Sequence, residues 1–323
     1  MGSASDITDH VQSILTISSF STHLEQSQSP ANQIAFPSSP ATWPILPELR
    51  TAWFITPDTW ATKPSNPANG TSTTTSEAWK YINKLQGWIA TWVGIGSNPF
   101  IHGRLHQTRP PTCIKDAFTA VSSYIIRTSS TEEFIFQILE DRAAALIRSP
   151  GSPLQTRSTA MRIDIRQRHL AEQQLSTLRS WSNEMLASAR DAAENDDLLL
   201  YNTSEDNFAI KQTVIGELLP IIKHDEVLWH SWILCESIRR TWLVSQMVYG
   251  IYTTLQQGLN ECPGGIMFTT QKGAWDAPSA FSWTKVCAEK NNSPEEVDEF
   301  AKTLMVLDVG LERLQDWGWK IND

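Results

Sequence analysis

The chain has 323 residues, of which 41% are hydrophobic, enough for one large helical domain or two poorly separable halves. We expect one compact unit with a loose amino-terminal part. Only 19% of the residues are charged, and 35 acidic side chains outweigh 26 Lys and Arg, which gives a net charge of -9. Because such a surface repels phosphate backbones, the composition argues against a self-sufficient DNA-binding protein.

The cysteines and the apolar runs restrict the class further. Cys113, Cys235, Cys262 and Cys287 are scattered along the chain, which argues against a disulfide framework and against a structural zinc site. The amino terminus lacks the basic and apolar regions of a secretory signal, and no apolar run is long enough to span a bilayer. We therefore expect a protein of the nucleus or cytoplasm, with no metal, no cofactor and no membrane association.

The first 75 residues form a Ser-, Thr- and Pro-rich segment that we expect to be partly disordered. Within it, residues 43–60 carry several tryptophans and aliphatic side chains, enough to hold this stretch against a larger body. Residues 62–75 are mostly Pro, Ser, Thr and Asn, which predicts a mobile linker. A second, helical domain is predicted over residues 76–323.

Two helices are predicted directly after the linker. Thr74 and Glu77 have the spacing of a capping box, and apolar side chains then recur with helical periodicity up to a stop at residues 94–96. The second helix begins near Thr112, after two prolines, and continues through Ile125.

The next two helices are separated by the Ser-Pro-Gly-Ser-Pro break at residues 149–153. Thr131 is predicted to cap the first of them, with two glutamates in its first turn. The second is one long helix over residues 161–192. The side chains predicted to form the inner face of the shorter helix are Phe134, Ile138, Leu139 and Leu146.

Three further helices complete the prediction. One spans residues 207–219 and is closed by Pro220, a long one spans residues 227–257, and the last begins at Ser293 with Pro294 in its first helical position. No segment alternates between apolar and polar residues strongly enough to be a strand, so the predicted class is all-α.

The densest motif is Trp-His-Ser-Trp-Ile-Leu-Cys-Glu-Ser-Ile-Arg-Arg-Thr-Trp at residues 229–242. On a helix, Glu236 reaches Arg239 and Arg240 at the i+3 and i+4 positions, which suits an ion pair at the rim of an aromatic core. An anionic ligand is the alternative use if one arginine stays unpaired. The 14 tryptophans either line an aromatic pocket or fill the interior themselves.

The motif at residues 229–242 resembles the regulatory region downstream of the DNA-binding domain in fungal zinc-binuclear-cluster transcription factors. The resemblance covers most of residues 80–290 and implies a multi-helix domain similar to the middle homology region of those factors. It also implies a regulatory function for residues 76–323. The other stretches that resemble the family are Leu85 to Trp88, Pro99 to His102, Asp164 to Arg168, Trp275 and Trp283.

Two departures from the family matter. The six closely spaced cysteines that hold a pair of zinc ions ahead of this region are missing from the sequence, which argues against direct, sequence-specific DNA binding by this chain. The strongly apolar stretch that precedes the Asp164 helix in the family is replaced by a short polar link. One core helix is therefore expected to be shortened or lost, which opens a cavity or is compensated elsewhere.

Two sets of titratable side chains are candidates for chemistry. His102 and His106 have a metal-ligand spacing on a helix, with Asp116 as a third ligand, but the surrounding Pro and Gly favour turns in which His102 bonds a loop carbonyl. Glu226 lies one helical turn before His230, which suits an acid–base pair. The simpler interpretation makes Glu226 part of the acidic first turn of the long helix.

We therefore hypothesise a non-enzymatic regulatory protein without the family's DNA reader, in control of fungal metabolite biosynthesis. It would act through contacts with regulatory proteins or by binding a hydrophobic small molecule between its helices, and a homodimer remains open. The predicted ligand-binding residues are Trp229, Trp232, Trp242, Trp275, Trp283, Arg239 and Arg240.

The alternative hypothesis is an enzyme that has adapted this helical pocket to a hydrophobic metabolite. Its acid and base would come from His224, Glu226, His230 and Glu236. The third hypothesis is a truncated transcription factor that has lost its DNA-binding part.

Overall fold

The computed structural model describes residues 52–63, 75–105, 110–147, 163–195, 219–257, 264–289, 294–309 and 315. Within these ranges the chain is helical, and it forms no β-strand, only two isolated antiparallel bridges. The predicted all-α class is therefore confirmed. Residues 64–74 of the linker predicted over 62–75, and residues 207–218 of the helix predicted over 207–219, lie outside the described residues.

Seven α-helices and two 3-10 turns make up the described chain. The 3-10 turns are Pro57–Trp60 and Pro294–Glu296. The helices are α1 (Thr75–Ile95), α2 (Thr112–Ile125), α3 (Glu132–Ile147), α4 (Ile163–Glu194), α5 (Leu219–Gln257), α6 (Ala280–Ala288) and α7 (Glu299–Val309).

Helix α1 shows why the spacing of apolar residues predicted this helix correctly. Its buried side chains follow one another at three- and four-residue spacing, so one face enters the core. The helix ends where Gly96 adopts a φ of 78° and donates its amide to the Trp92 carbonyl at 2.8 Å. A residue without a Cβ takes this left-handed conformation at no steric cost, which explains the predicted stop.

Three element predictions were wrong. Pro220 does not close a helix: α5 begins at Leu219, so the proline lies in its first turn, where a missing N–H costs nothing. The last helix begins at Glu299, because Pro294 starts a separate 3-10 turn and the Asp298 side chain accepts the Ala301 amide at 2.7 Å. Helix α6 was missed altogether.

The inner face predicted for α3 was also wrong in part. Phe134 is 67% exposed, whereas its neighbour Ile135 is buried together with Leu139. A shift of one residue turns a side chain by roughly 100° around the helix axis, enough to move it out of the core. The buried positions at 135 and 139 are four apart, so α3 still presents a single helical stripe to the interior.

The chain divides into two compact units. Unit 1 comprises Met1–Ser39, Thr74–Met185 and Val244–Glu261. In it, the rings of Trp92 and Phe118 meet edge to face at 5.3 Å and join α1 to α2. Asp116 and Arg142 form an ion pair of 3.0 Å between α2 and α3.

Unit 2 comprises Pro40–Thr73, Leu186–Leu243 and Cys262–Asp323. It contains the amino-terminal part of α5, the helices α6 and α7, and residues 52–63. Lys63 forms an isolated antiparallel bridge with Gly265. The domain boundary predicted after residue 75 stays a prediction. No helix in the described ranges has the length and apolarity to cross a membrane.

Candidate functional site

Glu236 and Arg240 form the ion pair that their helical spacing predicts. Arg240 Nε lies 3.0 Å from Glu236 Oε1, and the two side chains are 1% and 0% exposed. This part of α5 is buried almost all the way round, so each polar group on it needs a partner inside the protein.

Further partners of this pair come from two distant segments of unit 2. Arg240 Nη2 donates to the Thr269 carbonyl at 2.9 Å and to Asp298 Oδ2 at 2.6 Å. The Thr269 amide donates to Glu236 Oε1 at 2.8 Å. The pair is therefore a four-residue network that ties α5 to the loop at residues 264–270 and to the start of α7.

Arg239 turns toward residues 52–63 instead. Its Nη2 donates to the Phe54 carbonyl and to Thr59 Oγ1, both at 2.9 Å. Its guanidinium lies 3.8 Å from the centre of the Trp60 ring and 5.4 Å from that of Trp53. Stacking on aromatic faces compensates part of the cost of burying this cation.

Three of the five predicted tryptophans meet in one aromatic group. The Trp232 ring lies 6.1 Å from that of Trp275 and 5.4 Å from that of Trp283, and its Nε1 donates to Thr269 Oγ1 at 3.0 Å. Arg240 lies 4.3 Å above Trp275, so the aromatic group and the ion network are continuous. Trp229 and Trp242 are buried on α5 as well.

Burial dominates the electrostatics of this cluster. It raises the pKa of the Glu236 carboxyl, an effect that the nearby Arg240 and Arg239 guanidiniums oppose. It also raises the pKa of Asp298, again opposed by Arg240. The same desolvation lowers the pKa of Arg239 and raises that of the Cys235 thiol to about 12.

The hydrogen-bonding capacity of the cluster is only partly used. Arg239 Nε and Nη1 and Glu236 Oε2 are buried without a hydrogen-bond partner in the structure described. Two guanidiniums and two carboxyls nevertheless balance in formal charge, so the arrangement suits a structural network. Among the described residues, no three His, Cys, Asp or Glu side chains group closely enough to hold a metal ion.

The acid–base candidates occupy two different environments. Glu226 Oε2 and His230 Nε2 lie 3.7 Å apart, with the side chains 48% and 40% exposed. Glu236 lies further along α5 in the buried network, so the structure does not bring it together with that pair. The side chain of His224 lies outside the described residues.

Two of the three candidate metal ligands, His102 and Asp116, are among the described residues of unit 1. His102 is buried, and its Nδ1 accepts the Arg104 amide at 3.1 Å. The predicted bond of His102 to a loop carbonyl stays a prediction. Asp116 is paired with Arg142. His106 lies outside the described residues.

Sequence reasoning missed the partners Asp298, Thr269, Phe54 and Thr59. Asp298 carried a signal, since an Asp directly before a helix is a preferred N-cap, but nothing local linked it to Arg240. The other three act through a backbone group or a small hydroxyl. Such partners have no sequence signature.

Comparison with known proteins finds a similarity to a transcription factor. The chain is 25% identical over 225 residues to Transcription factor gsfR2 of Penicillium aethiopicum. The match covers 65% of this chain and 50% of that protein, so the chain matches about half the length of this relative. No protein-family model and no solved structure matches the chain. The similarity supports a relationship to fungal transcription factors.

Proposed function

We propose that the chain is a transcription-regulatory protein of the fungal nucleus, in which these residues serve as a regulatory part that does not itself recognise a DNA sequence. The observation that carries the proposal is the similarity to Transcription factor gsfR2 over 225 residues. The absence of closely spaced cysteines from the 323 residues and their net charge of -9 support the second half of the proposal.

In this proposal the network around Glu236 and Arg240 is a scaffold. It fixes the loop at residues 264–270 and the start of α7 on α5, and Arg239 fixes residues 52–63 on the same helix. A scaffold of this kind presents defined surfaces to other regulatory proteins or to a small molecule. The regulated process that we propose, following the resemblance, is metabolite biosynthesis.

A reporter assay tests the regulatory role. The 323-residue chain is fused to a heterologous DNA-binding domain in a fungal host, and we expect the fusion to change transcription from a reporter with matching sites. Glu236→Ala should weaken the effect by loosening the scaffold, whereas Glu226→Ala, at an exposed position on the same helix, should not. A well-expressed fusion that leaves the reporter unchanged contradicts the proposal.

Electrophoretic mobility shifts test the lack of DNA recognition. The purified chain at physiological salt should show no preference for any promoter sequence over a shuffled control. Tight, sequence-specific binding by the chain alone would overturn this half of the proposal.

The structure gives the enzyme alternative little support. The Glu236 side chain is 0% exposed, and its Oε1 accepts from Arg240 and the Thr269 amide, so this carboxyl does not face solvent. Glu226 and His230 are both substantially exposed, so neither is desolvated as a tuned catalytic group usually is.

A further inference from the structure

A cleft of about 490 Å³ lies between α4 and α5 within unit 1. Its walls are formed by side chains of residues 175–183 on α4 and 249–256 on α5, and we call it the α4–α5 cleft. Its volume is within the range of sites for small organic ligands. None of the predicted ligand-binding residues lines it.

Arg179 is the charged side chain of this cleft. Its guanidinium lies 4.5 Å from the centre of the Tyr249 ring, so one face of the planar cation is covered by the tyrosine. No carboxylate pairs with Arg179 among the residues that the structure describes. The acid that lies one turn further along α4, Glu184, accepts the Ser180 hydroxyl at 2.7 Å. The N–H edge of Arg179 is therefore available to an anion.

Because the α4–α5 cleft is formed by two helices, it can bind only certain kinds of anion. One wall is an interior stretch of α4 and the other is the carboxyl-terminal turns of α5. The backbone amides of both are already bonded within the helices, so no amide nest is present to hold a phosphate. A single guanidinium offers two parallel N–H groups, which match the two oxygens of a carboxylate. The cleft thus suits one carboxylate group rather than a doubly charged phosphate.

The remaining lining suits an aromatic ring. Tyr249 and Tyr252 both line the cleft, and the Tyr252 hydroxyl is positioned by a hydrogen bond from Gln256 Nε2. Leu175 contributes a buried aliphatic surface at one end. Ring-on-ring contact adds to the energy of burying apolar area, so an aromatic group gains more here than an alkyl chain.

We propose that the α4–α5 cleft binds a small aromatic carboxylate. The carboxylate is held by the N–H edge of Arg179, and the ring packs against Tyr249 and Tyr252. This site is separate from the buried network of unit 2 and goes beyond the proposed regulatory function. It requires only that the chain is folded.

The test uses benzoate as the probe and the full 323-residue chain. Ligand-observed NMR at neutral pH and low salt gives the dissociation constant, which we expect on the order of 1 mM for one ion pair and one ring contact. Benzamide keeps the ring without the charge, and acetate keeps the charge without the ring. Each should bind at least about tenfold more weakly than benzoate.

Arg179→Met should weaken benzoate binding about tenfold or more, the factor expected for loss of a hydrogen bond to a charged group. Arg179→Lys should bind benzoate more tightly than Arg179→Met but more weakly than the unchanged chain, because an ammonium lacks the two parallel N–H groups of a guanidinium. The matched control is Arg190→Met, which removes an exposed arginine from the same helix outside the cleft, where it pairs with Glu194 at 3.3 Å. That variant should bind benzoate as the unchanged chain does.

Three results would overturn the proposal: no benzoate binding up to about 20 mM, equal binding of benzamide, or equal binding by the Arg179→Met chain. Acetate binding as tight as benzoate would refute the aromatic half. The reporter assay contains no benzoate, so failure of the regulatory role and failure of this site are distinguishable.

Discussion

The buried network predicts a large loss of stability when Glu236 is replaced by alanine. The change removes the counter-charge 3.0 Å from Arg240 and leaves the Thr269 amide without its acceptor. Breaking a buried ion pair by removing one partner costs about 3–5 kcal/mol. Asp298 still faces Arg240 at 2.6 Å and keeps part of the compensation, so we expect a loss near the lower end, about 3 kcal/mol.

Urea unfolding followed by tryptophan fluorescence and circular dichroism measures this loss as a shift of the midpoint at constant slope. Glu236→Gln keeps an oxygen for the Arg240 and Thr269 donors and should cost about half as much as alanine. The control is Glu226→Ala at an exposed position of α5, which should change the free energy of unfolding by no more than about 0.5 kcal/mol. Equal midpoints for Glu236→Ala and Glu226→Ala would show that the buried pair does not stabilise the fold.

Three further outcomes follow from the same cluster. Arg239→Met should speed amide hydrogen exchange in residues 52–63 about tenfold or more, because the hydrogen bonds that hold this segment go to a charged group; unchanged exchange, with Arg190→Met as control, would contradict this. Cys235, with its thiol pKa raised to about 12, should resist iodoacetamide at mildly alkaline pH until urea unfolds the chain. A rate equal in the folded and unfolded chain, measured by mass spectrometry, would argue against its burial. In the folded chain the pKa of Glu236 is raised above its ordinary value of 4.5, so the folded state binds this proton more tightly than the unfolded state does. The contribution of Glu236 to stability is therefore largest at low pH. It falls as the pH rises from about 4.5 toward the raised pKa of the folded state. The stability of the unchanged chain relative to Glu236→Gln should therefore decline over that window; a difference that grows with pH would refute the sign.

Local rules account for what the sequence predicted correctly. The spacing of Glu236 and Arg240 determines their meeting once a helix forms, and the glycine after α1 determines where that helix ends. Pro220 shows the limit of such rules. A proline is as compatible with the first turn of a helix as with the end of the preceding one, so the proline alone does not decide between the two.

Long-range partners explain what the sequence could not give. Asp298 and Thr269 are far from Arg240 along the chain, and their contact depends on how the loop and α7 pack on α5. Helix α6 is only nine residues long, too short to show a clear period, and it is fixed by Ser279 at its N-cap and by the burial of Trp283. The α4–α5 cleft likewise arises from the approach of two helices, and no motif in either one predicts it.

The two adjacent arginines of α5 and Arg179 of α4 have opposite roles for the same physical reason. Neighbouring residues on a helix point roughly 100° apart, so Arg239 and Arg240 reach different segments of unit 2. Both are buried there, and each donates hydrogen bonds from its Nη2 to acceptors of its own segment. A ligand at Arg240 must displace Asp298 or Glu236 and leave a buried carboxyl without its partner, which costs more than a new contact returns. Arg179 has only a tyrosine face as partner in the described structure and is exposed to solvent. An anion therefore gains more at Arg179, which separates the residues that hold the fold from those that we propose to bind a ligand.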